Sequence, residues 1–229
     1  KVFLRLDLNV PLADEGRITD HTRIEAALPT IKYIIENGGC AIISSHLGRP
    51  KGKVLPNLSL KPVACSLTSY LGRDVPLAPD CIGDSVRRMV DGLREGEVML
   101  LENLRFHKGE TENDPEFAQA LAGLGEVYVN DAFGATHRAH ASVSGITQFI
   151  EPCAAGFLME KEIDHLSRLT ASPERPFIAL MGGAKVSDKL GIIDNFIDKL
   201  DALMIGGGMA YTFLMTKGLE VGRSMVEKD

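Results

Sequence analysis

A three-layer α/β fold around a parallel sheet is the fold class this sequence predicts, and three observations predict it. Short apolar, β-rich runs alternate with amphipathic helical stretches along the chain, the signature of repeated strand–helix units. Several of the runs are continuously apolar instead of alternating, as strands buried on both faces are. Proline at helix starts and glycine at helix ends mark the breaks between units.

The strand candidates, in order, are Val2–Leu6, Ala41–Ser45, Asp74–Leu77, Val98–Leu101, Val127–Asn130, Ile178–Met181 and Ala202–Ile205. Between them, helical patterns cover Pro29–Asn37, Lys61–Leu71, Pro115–Ala122 and Val186–Leu200. Pro29 and Pro115 fit first helical turns, where a missing N–H costs nothing. Asn37-Gly38-Gly39 closes one helix and Gly72 another. The stretch Ala154–Thr170 reads as one long helix with Phe157, Leu158, Leu166 and Leu169 near one face, and the turn-rich "ASPERP" follows it. These features divide the chain into a Rossmann-like α/β domain over 1–155, a connecting helix and hinge over 156–175, and the start of a second α/β domain over 176–229. The second domain holds only two strand–helix units and reads as incomplete. No solenoid repeat or low-complexity tract is present.

Composition sets bounds on function. The chain has 229 residues, 45% hydrophobic and 24% charged, which permits a substantial core. Its net charge of -6 argues against nucleic acid as a partner, which calls for a basic surface. A basic cluster here is local, and a small anion is its natural ligand. The four cysteines, Cys40, Cys65, Cys81 and Cys153, form no C-x-x-C pair. The expectation is buried, reduced thiols in a cytosolic protein and no zinc site. No apolar run is long enough to span a membrane, and no signal peptide is visible. The chain opens inside a strand-like run, "KVFLRLDLNV", and ends at "GRSMVEKD", so a piece of a longer protein is expected.

Ligands of open parallel sheets bind outside the carboxyl ends of the strands. Asp7 and Asn9 follow the first strand; His46, Gly48 and Arg49 follow the second. Glu102, Asn103, Arg105 and His107 follow Val98–Leu101, and Asp131, His137, Arg138 and His140 follow Val127–Asn130. Arg23 precedes the first long helix. A lone arginine after a strand is ordinarily a solvated surface residue. Three in equivalent loops converge if the strands are parallel, and such a ring binds planar oxyanions bidentately. Histidine adds a donor whose charge responds to a nearby anion. Taken singly, His46, His137 and His140 suit a structural role as well as ligand contact. Asp7 reads as an orienting partner for an arginine, an acceptor from a substrate hydroxyl, or a strand-end turn residue.

The second domain offers the complementary half. Gly182-Gly183 follow one strand, with Lys185 and Lys189 beyond; Gly206-Gly207-Gly208 follow the other, with a helix starting near Met209. Glycines let backbone N–H groups approach a polyphosphate, and lysines four apart share a helix face. Neither the P-loop pattern nor G-x-G-x-x-G is present, so the expected nucleotide-phosphate site is of another type.

The segments "LDLNVPL", "SSHLGRP", "LLENLRFHKGE", "NDAFGATHRAHAS", "GGAKVSDKLG" and "GGGMAYTFL" together resemble the phosphoglycerate kinase family, in order and spacing, over essentially the whole chain. Leu8 departs from the phenylalanine usual there. The resemblance implies reversible phosphoryl transfer between 1,3-bisphosphoglycerate and ADP in glycolysis, giving 3-phosphoglycerate and ATP, with MgATP/MgADP as the nucleotide. It implies a monomer in the cytoplasm, without membrane attachment, that bends at a hinge. Carried over by motif, Asp7, Leu8, Asn9, Arg23, His46, Leu47, Gly48, Arg49, Arg105 and Arg138 bind substrate, and Gly183, Ala184, Lys185, Lys189 and Gly207 bind nucleotide. Arg23 and Lys185 stabilise the transferring group; no protein ligand to a metal is assigned. The chain as it stands is expected to bind 3-phosphoglycerate weakly and to turn over almost nothing. A non-catalytic binding domain for phosphorylated metabolites is the alternative. A Rossmann-type dehydrogenase ranks low, since no hydride-transfer residue is offered.

Overall fold

The computed structural model describes residues 1–227. The chain divides into two compact units, Lys1–Glu162 and a second beginning at Ile163.

In the first unit, strand β1 (Val2–Leu6) leads to helix α1 (Thr22–Glu36), β2 (Ala41–Ser44), α2 (Lys61–Leu71), α3 (Asp84–Asp91) and β3 (Val98–Leu100). Then come α4 (Lys108–Glu112), α5 (Pro115–Ala122), β4 (Val127–Asp131), β5 (Cys153–Ala155) and α6 (Phe157–Ala171), which runs across the division into the second unit. The sheet order is β3-β2-β1-β4-β5, and every pairing is parallel. Strand polarity of side chains makes the three layers. Phe3, Ile42, Met99 and Tyr128 join the core that includes Val86 of α3 and Phe117 of α5. Their neighbours Leu4, Ile43, Leu100 and Val129 join the core that includes Ile31 of α1 and Leu67 of α2. Apolar residues on both faces explain why the strands read as continuous apolar runs. Fully burying one such side chain contributes about 1.5–3 kcal/mol.

The structure corrects several sequence expectations. Helix α1 begins at Thr22, and Pro29 lies inside it. Asp20 Oδ1 accepts from the Thr22 N–H at 2.8 Å and so starts the helix early. Ile24, Ala27, Ile31 and Ile35 form its buried face, and that burial outweighs the hydrogen bond that proline cannot make. Pro115 does occupy a first turn, behind Asp114, whose carboxylate accepts from the Phe117 N–H. Asp74–Leu77 is no strand. It contributes one bridge, Leu77 to Leu100, because Pro76 has no N–H and the Val75 N–H goes to Thr68 Oγ1.

Ala154 and Ala155, expected as helix, belong to edge strand β5. The helix starts only at Phe157, where the Asp131 carboxylate accepts from the Met159 N–H at 2.9 Å. Gly156 permits this: an added Cβ would lie 2.3 Å from Asp131 Cγ.

The second unit contains β6 (Ile178–Gly182), α7 (Leu190–Phe196), β7 (Ala202–Gly206) and α8 (Met209–Thr216). β6 and β7 form a two-stranded parallel sheet. The helix expected over Val186–Leu200 breaks into a 3₁₀ turn, Ser187–Lys189, and the shorter α7. The cause lies at Ser187, whose N–H and hydroxyl both go to the Glu227 carboxylate. Lys185 is therefore in a loop and Lys189 at the cap of α7, so the two share no helix face.

Candidate anion-binding site

The order of the first sheet reverses at β1, with β2 on one side and β4 on the other. The loops leaving the two strands there diverge and open a crevice at their carboxyl ends. A concavity of about 250 Å³ lies there, lined by Asp7, Asn9, Arg23, His46, Gly48, Arg49, Arg105, Gly134, Ala135 and Arg138. It gathers residues from after β1, β2, β3 and β4, with Arg23 from the first turn of α1. A second concavity of about 370 Å³ shares Arg49, Arg105 and Arg138 and adds Lys51, Lys108, Glu112 and His140.

The one acidic residue lining the smaller concavity is already engaged. Asp7 pairs with Arg23, and its other oxygen accepts the Asn9 N–H at 3.3 Å. Of the readings open to Asp7, the structure shows two at once, the arginine partner and the strand-end turn residue. Asn9 Oδ1 accepts the Gly48 N–H at 2.8 Å, so the loops after β1 and β2 are tied together. Gly48 has φ +61°, and an added Cβ would meet Leu58 at 2.9 Å, so glycine is required. Arg105 donates to the Gly48 carbonyl at 2.8 Å, while its buried Nε has no partner. Among the described residues, Arg49, Arg105 and Arg138 have no carboxylate within ion-pair distance, although Arg138 Nε contacts His137 Nε2 at 3.2 Å. Burial, then the charges of Arg138 and Arg5, lower the Arg105 pKa. The guanidinium stays charged, so the cavity is short of negative charge.

His46 corrects the expectation of a responsive charge. It is buried, and burial followed by the charges of Arg5, Arg105 and Arg138 pulls its pKa down to about 2. Its Nδ1 faces Arg5 Nη2 at 3.2 Å, and a guanidinium can only donate, so Nδ1 accepts and the proton sits on Nε2. His46 is a neutral donor.

Sequence reasoning missed the floor of the site. Arg5 is 1% exposed and Glu110 0%. Arg5 Nε donates to Ser142 Oγ at 2.9 Å, and Ser142 Oγ donates to Glu110 Oε1 at 2.7 Å. Arg5 Nη2 also lies 4.0 Å from Glu110 Oε1. His140 Nδ1 stands 3.7 Å from the same oxygen, too far for a hydrogen bond, and is unpartnered. Burial, partly offset by Glu110, lowers the His140 pKa. The one sequence signal was an arginine inside an apolar strand, "VFLRL".

Leu8 and Leu47 point into the core, at 0% and 2% exposure. Their backbone N–H groups are used by Ser45 Oγ and Asn103 Oδ1. Asp131 is a structural tie, accepting from Thr30 Oγ1 at 2.5 Å as well as from Met159.

Within the second unit, the glycine turns after β6 and β7 lie against each other. The Met209 N–H donates to the Gly183 carbonyl at 2.8 Å, and Gly207 has φ +67° with its absent Cβ only 3.1 Å from Gly183 N. Ala184 lies beside Gly208. A carboxylate already occupies the next turn: Glu227 accepts from the N–H of Val186 at 2.8 Å and of Ser187 at 3.0 Å. Hydrogen bonds from Ser187, then burial acting in opposition, and finally Val186 and the Lys185 charge leave its pKa lowered. Neither Lys185 nor Lys189 has an ion pair among the described residues. No helix of the described residues is long and apolar enough to cross a membrane.

The family model for phosphoglycerate kinase matches residues 1–229. A cytosolic phosphoglycerate kinase of Triticum aestivum is 55% identical over all of this chain and 57% of its own length. That of Moorella thermoacetica is 57% identical, over 58% of its length. Among solved structures, phosphoglycerate kinase of Coxiella burnetii superposes with a TM-score of 0.88 at 42% identity, covering 99% of this chain and 57% of that one. The enzyme of Pyrococcus horikoshii gives 0.84 at 37% identity, covering 97% of this chain and 56% of that one. The chain thus spans about half the length of the relatives it matches.

Proposed function

The chain belongs to the phosphoglycerate kinase family, and from that premise we propose that it serves reversible phosphoryl transfer between 1,3-bisphosphoglycerate and MgADP, giving 3-phosphoglycerate and MgATP. The observation that carries the reading is the set of arginines 49, 105 and 138, convergent at the sheet's switch point without carboxylate partners. They hold the 3-phosphate, with neutral His46 donating beside them. Asn9, Arg23 and Asp7 attend the carboxyl end, Asp7 by orienting Arg23. The attacking carboxylate is ionised at neutral pH, so no general base is needed. Catalysis is then positioning and charge stabilisation, from Arg23 and Lys185.

The second unit fits the phosphates of a nucleotide. Gly183 and Gly207 present bare backbone at the strand ends with the small Ala184 beside them, and Lys185 and Lys189 form no ion pair among the described residues. Magnesium would neutralise phosphate charge there. We carry 1–155 as the substrate domain, 156–175 as connecting helix and hinge, and 176–229 as the nucleotide part. The cytosol is proposed as the compartment on the wheat relative's name, although relatives of Arabidopsis thaliana bear chloroplastic names. A non-catalytic carrier of phosphorylated metabolites would leave Lys185 and Lys189 without a purpose.

Calorimetry tests the substrate site. The 229-residue chain should bind 3-phosphoglycerate at least about a hundredfold more tightly than glycerate, since two charge-assisted bonds contribute roughly 3 kcal/mol or more. Arg105→Ala should remove most of that preference. Equal affinity for the two acids would refute the phosphate site.

A further inference from the structure

We infer that Asp80, Cys81 and His107 form a binding site for a zinc-class divalent transition metal, separate from the arginine cavity. The spacing of the cysteines gave no hint of it, because its ligands come from the loop before α3 and from the turn between β3 and α4. One potential ligand atom from each residue lies within 4.8 Å of the others. The donors are a carboxylate oxygen, a thiol sulfur and an imidazole nitrogen. That set suits zinc, whereas magnesium favours oxygen alone.

The three side chains are held for the task. Asp80 Oδ1 and His107 Nε2 stand 2.6 Å apart in a direct hydrogen bond. Zinc bonds of about 2.0–2.2 Å at tetrahedral angles need roughly 3.3–3.5 Å between ligand atoms, so that bond opens by under about 1 Å to admit the ion. The His107 ring stacks on Phe117 with centroids 5.0 Å apart, which fixes its plane. Cys81 is fully buried, and its sulfur donates to the Glu102 carbonyl at 3.0 Å, so the carbonyl lies next to the thiol. Access is open from the other side, where the Asp80 and His107 side chains are 46% and 30% exposed.

The electrostatics agree with the geometry. Burial, then the charges of Asp80, Glu110 and Glu102, push the Cys81 thiol well above its ordinary value. The acidic charges favour a cation there, against the cost of burying it, so the site stands on the geometry of its three donors. Binding exchanges the proton for the metal: the S–H bond breaks, sulfur keeps the electron pair and ligates the metal, and the proton leaves to solvent. Affinity must therefore rise with pH. The site also joins the loop before α3 to the turn that carries Arg105, so an ion there braces that turn without touching the anion cavity.

The test uses the reduced chain with the exposed Cys65 and Cys153 replaced by serine. Titration with Co²⁺ should give one equivalent bound with a thiolate-to-cobalt charge-transfer band. Zn²⁺, added against a chromophoric chelator, should displace it, and millimolar Mg²⁺ should not. Cys81→Ser should abolish the band. His107→Gln and Asp80→Asn, at partly exposed positions, should each weaken Zn²⁺ binding at least about tenfold. A band that survives Cys81→Ser, unchanged affinity in His107→Gln, or no stoichiometric binding by the parent chain would each overturn the site. None of these readouts depends on 3-phosphoglycerate or nucleotide, so the outcome is independent of the kinase reading.

Discussion

At residue scale, the cation cluster is supported by groups that carry no visible function in the sequence. Arg5 holds His46 through Nδ1 and is itself held by Ser142 and, at 4.0 Å, faces Glu110. The consequence is a pH-dependent stability. Folded His46 has its pKa depressed to about 2, whereas the unfolded chain protonates near the ordinary histidine value of 6.5. Between those values the unfolded state binds the extra proton, so stability is complete above about pH 6.5 and falls as pH falls. At about 1.4 kcal/mol per pH unit, this one group contributes a loss of roughly 2 kcal/mol by pH 5. His140, lowered for the same first reason of burial, acts in the same direction. Denaturant melts between pH 5 and 8 should show the slope, and His46→Asn, which keeps an acceptor near the Nδ1 position, should flatten it. A wild-type stability independent of pH over that window would show that His46 charges freely. The arginines after β2, β3 and β4 were legible because parallel topology sends all strand ends to one edge. Arg5, Glu110 and Ser142 were not, because only tertiary packing brings a strand residue, a short-helix residue and a loop residue together. The inward direction of the Leu8 and Leu47 side chains was not legible either, because motif adjacency says nothing about which way a side chain points.

At the scale of elements, boundaries were readable where a cap or breaker acts locally and misread where a distant group intervenes. Gly72 ends α2 at φ +63° as its sequence position implies. Pro115 starts α5 behind Asp114. The alanines of β5 look helical, yet pairing with Val129 and Asn130 makes them a strand. The turn after β6 looks helical too, and the Glu227 carboxylate, far along the chain, holds it as a 3₁₀ turn. That carboxylate also sets a prediction. It fills two backbone N–H groups beside Lys185, at the turn where a phosphate is proposed to bind, and an anion must compete with it. Glu227→Ala should strengthen MgADP binding to this chain about tenfold or more, the lower end of what one charge-assisted bond contributes. Lys185→Ala and Lys189→Ala should weaken it. Fluorescence or calorimetric titration reads all three, and weaker binding by Glu227→Ala would mean that its carboxylate supports the site instead of competing for it.

At the scale of the whole molecule, the two units differ in how much of their sheet is covered. The first has five strands with cores on both faces, and Phe3, Leu4, Ile42 and Ile43 are at 0% exposure. The second has two strands, with Leu180 76%, Met204 52% and Ile178 47% exposed. A sheet of two strands with apolar faces in water is marginal by itself. Local stability should therefore be uneven. In hydrogen exchange, amides of β1, β2 and β4 should open only with global unfolding of the first unit, while those of β6 and β7 exchange faster by at least two orders of magnitude, a difference of about 2.7 kcal/mol or more. A loosely held β6 turn positions Lys185 poorly, and small misplacements are costly in phosphoryl transfer. The same preparation should thus bind 3-phosphoglycerate yet consume almost no ATP in a coupled assay. Adding MgADP should slow exchange around Gly182–Lys189 before it slows anything in β1–β4. Equal protection of the two sheets, or turnover at the rate of an intact two-lobed kinase, would show that the exposed strands are held by more than the burial described.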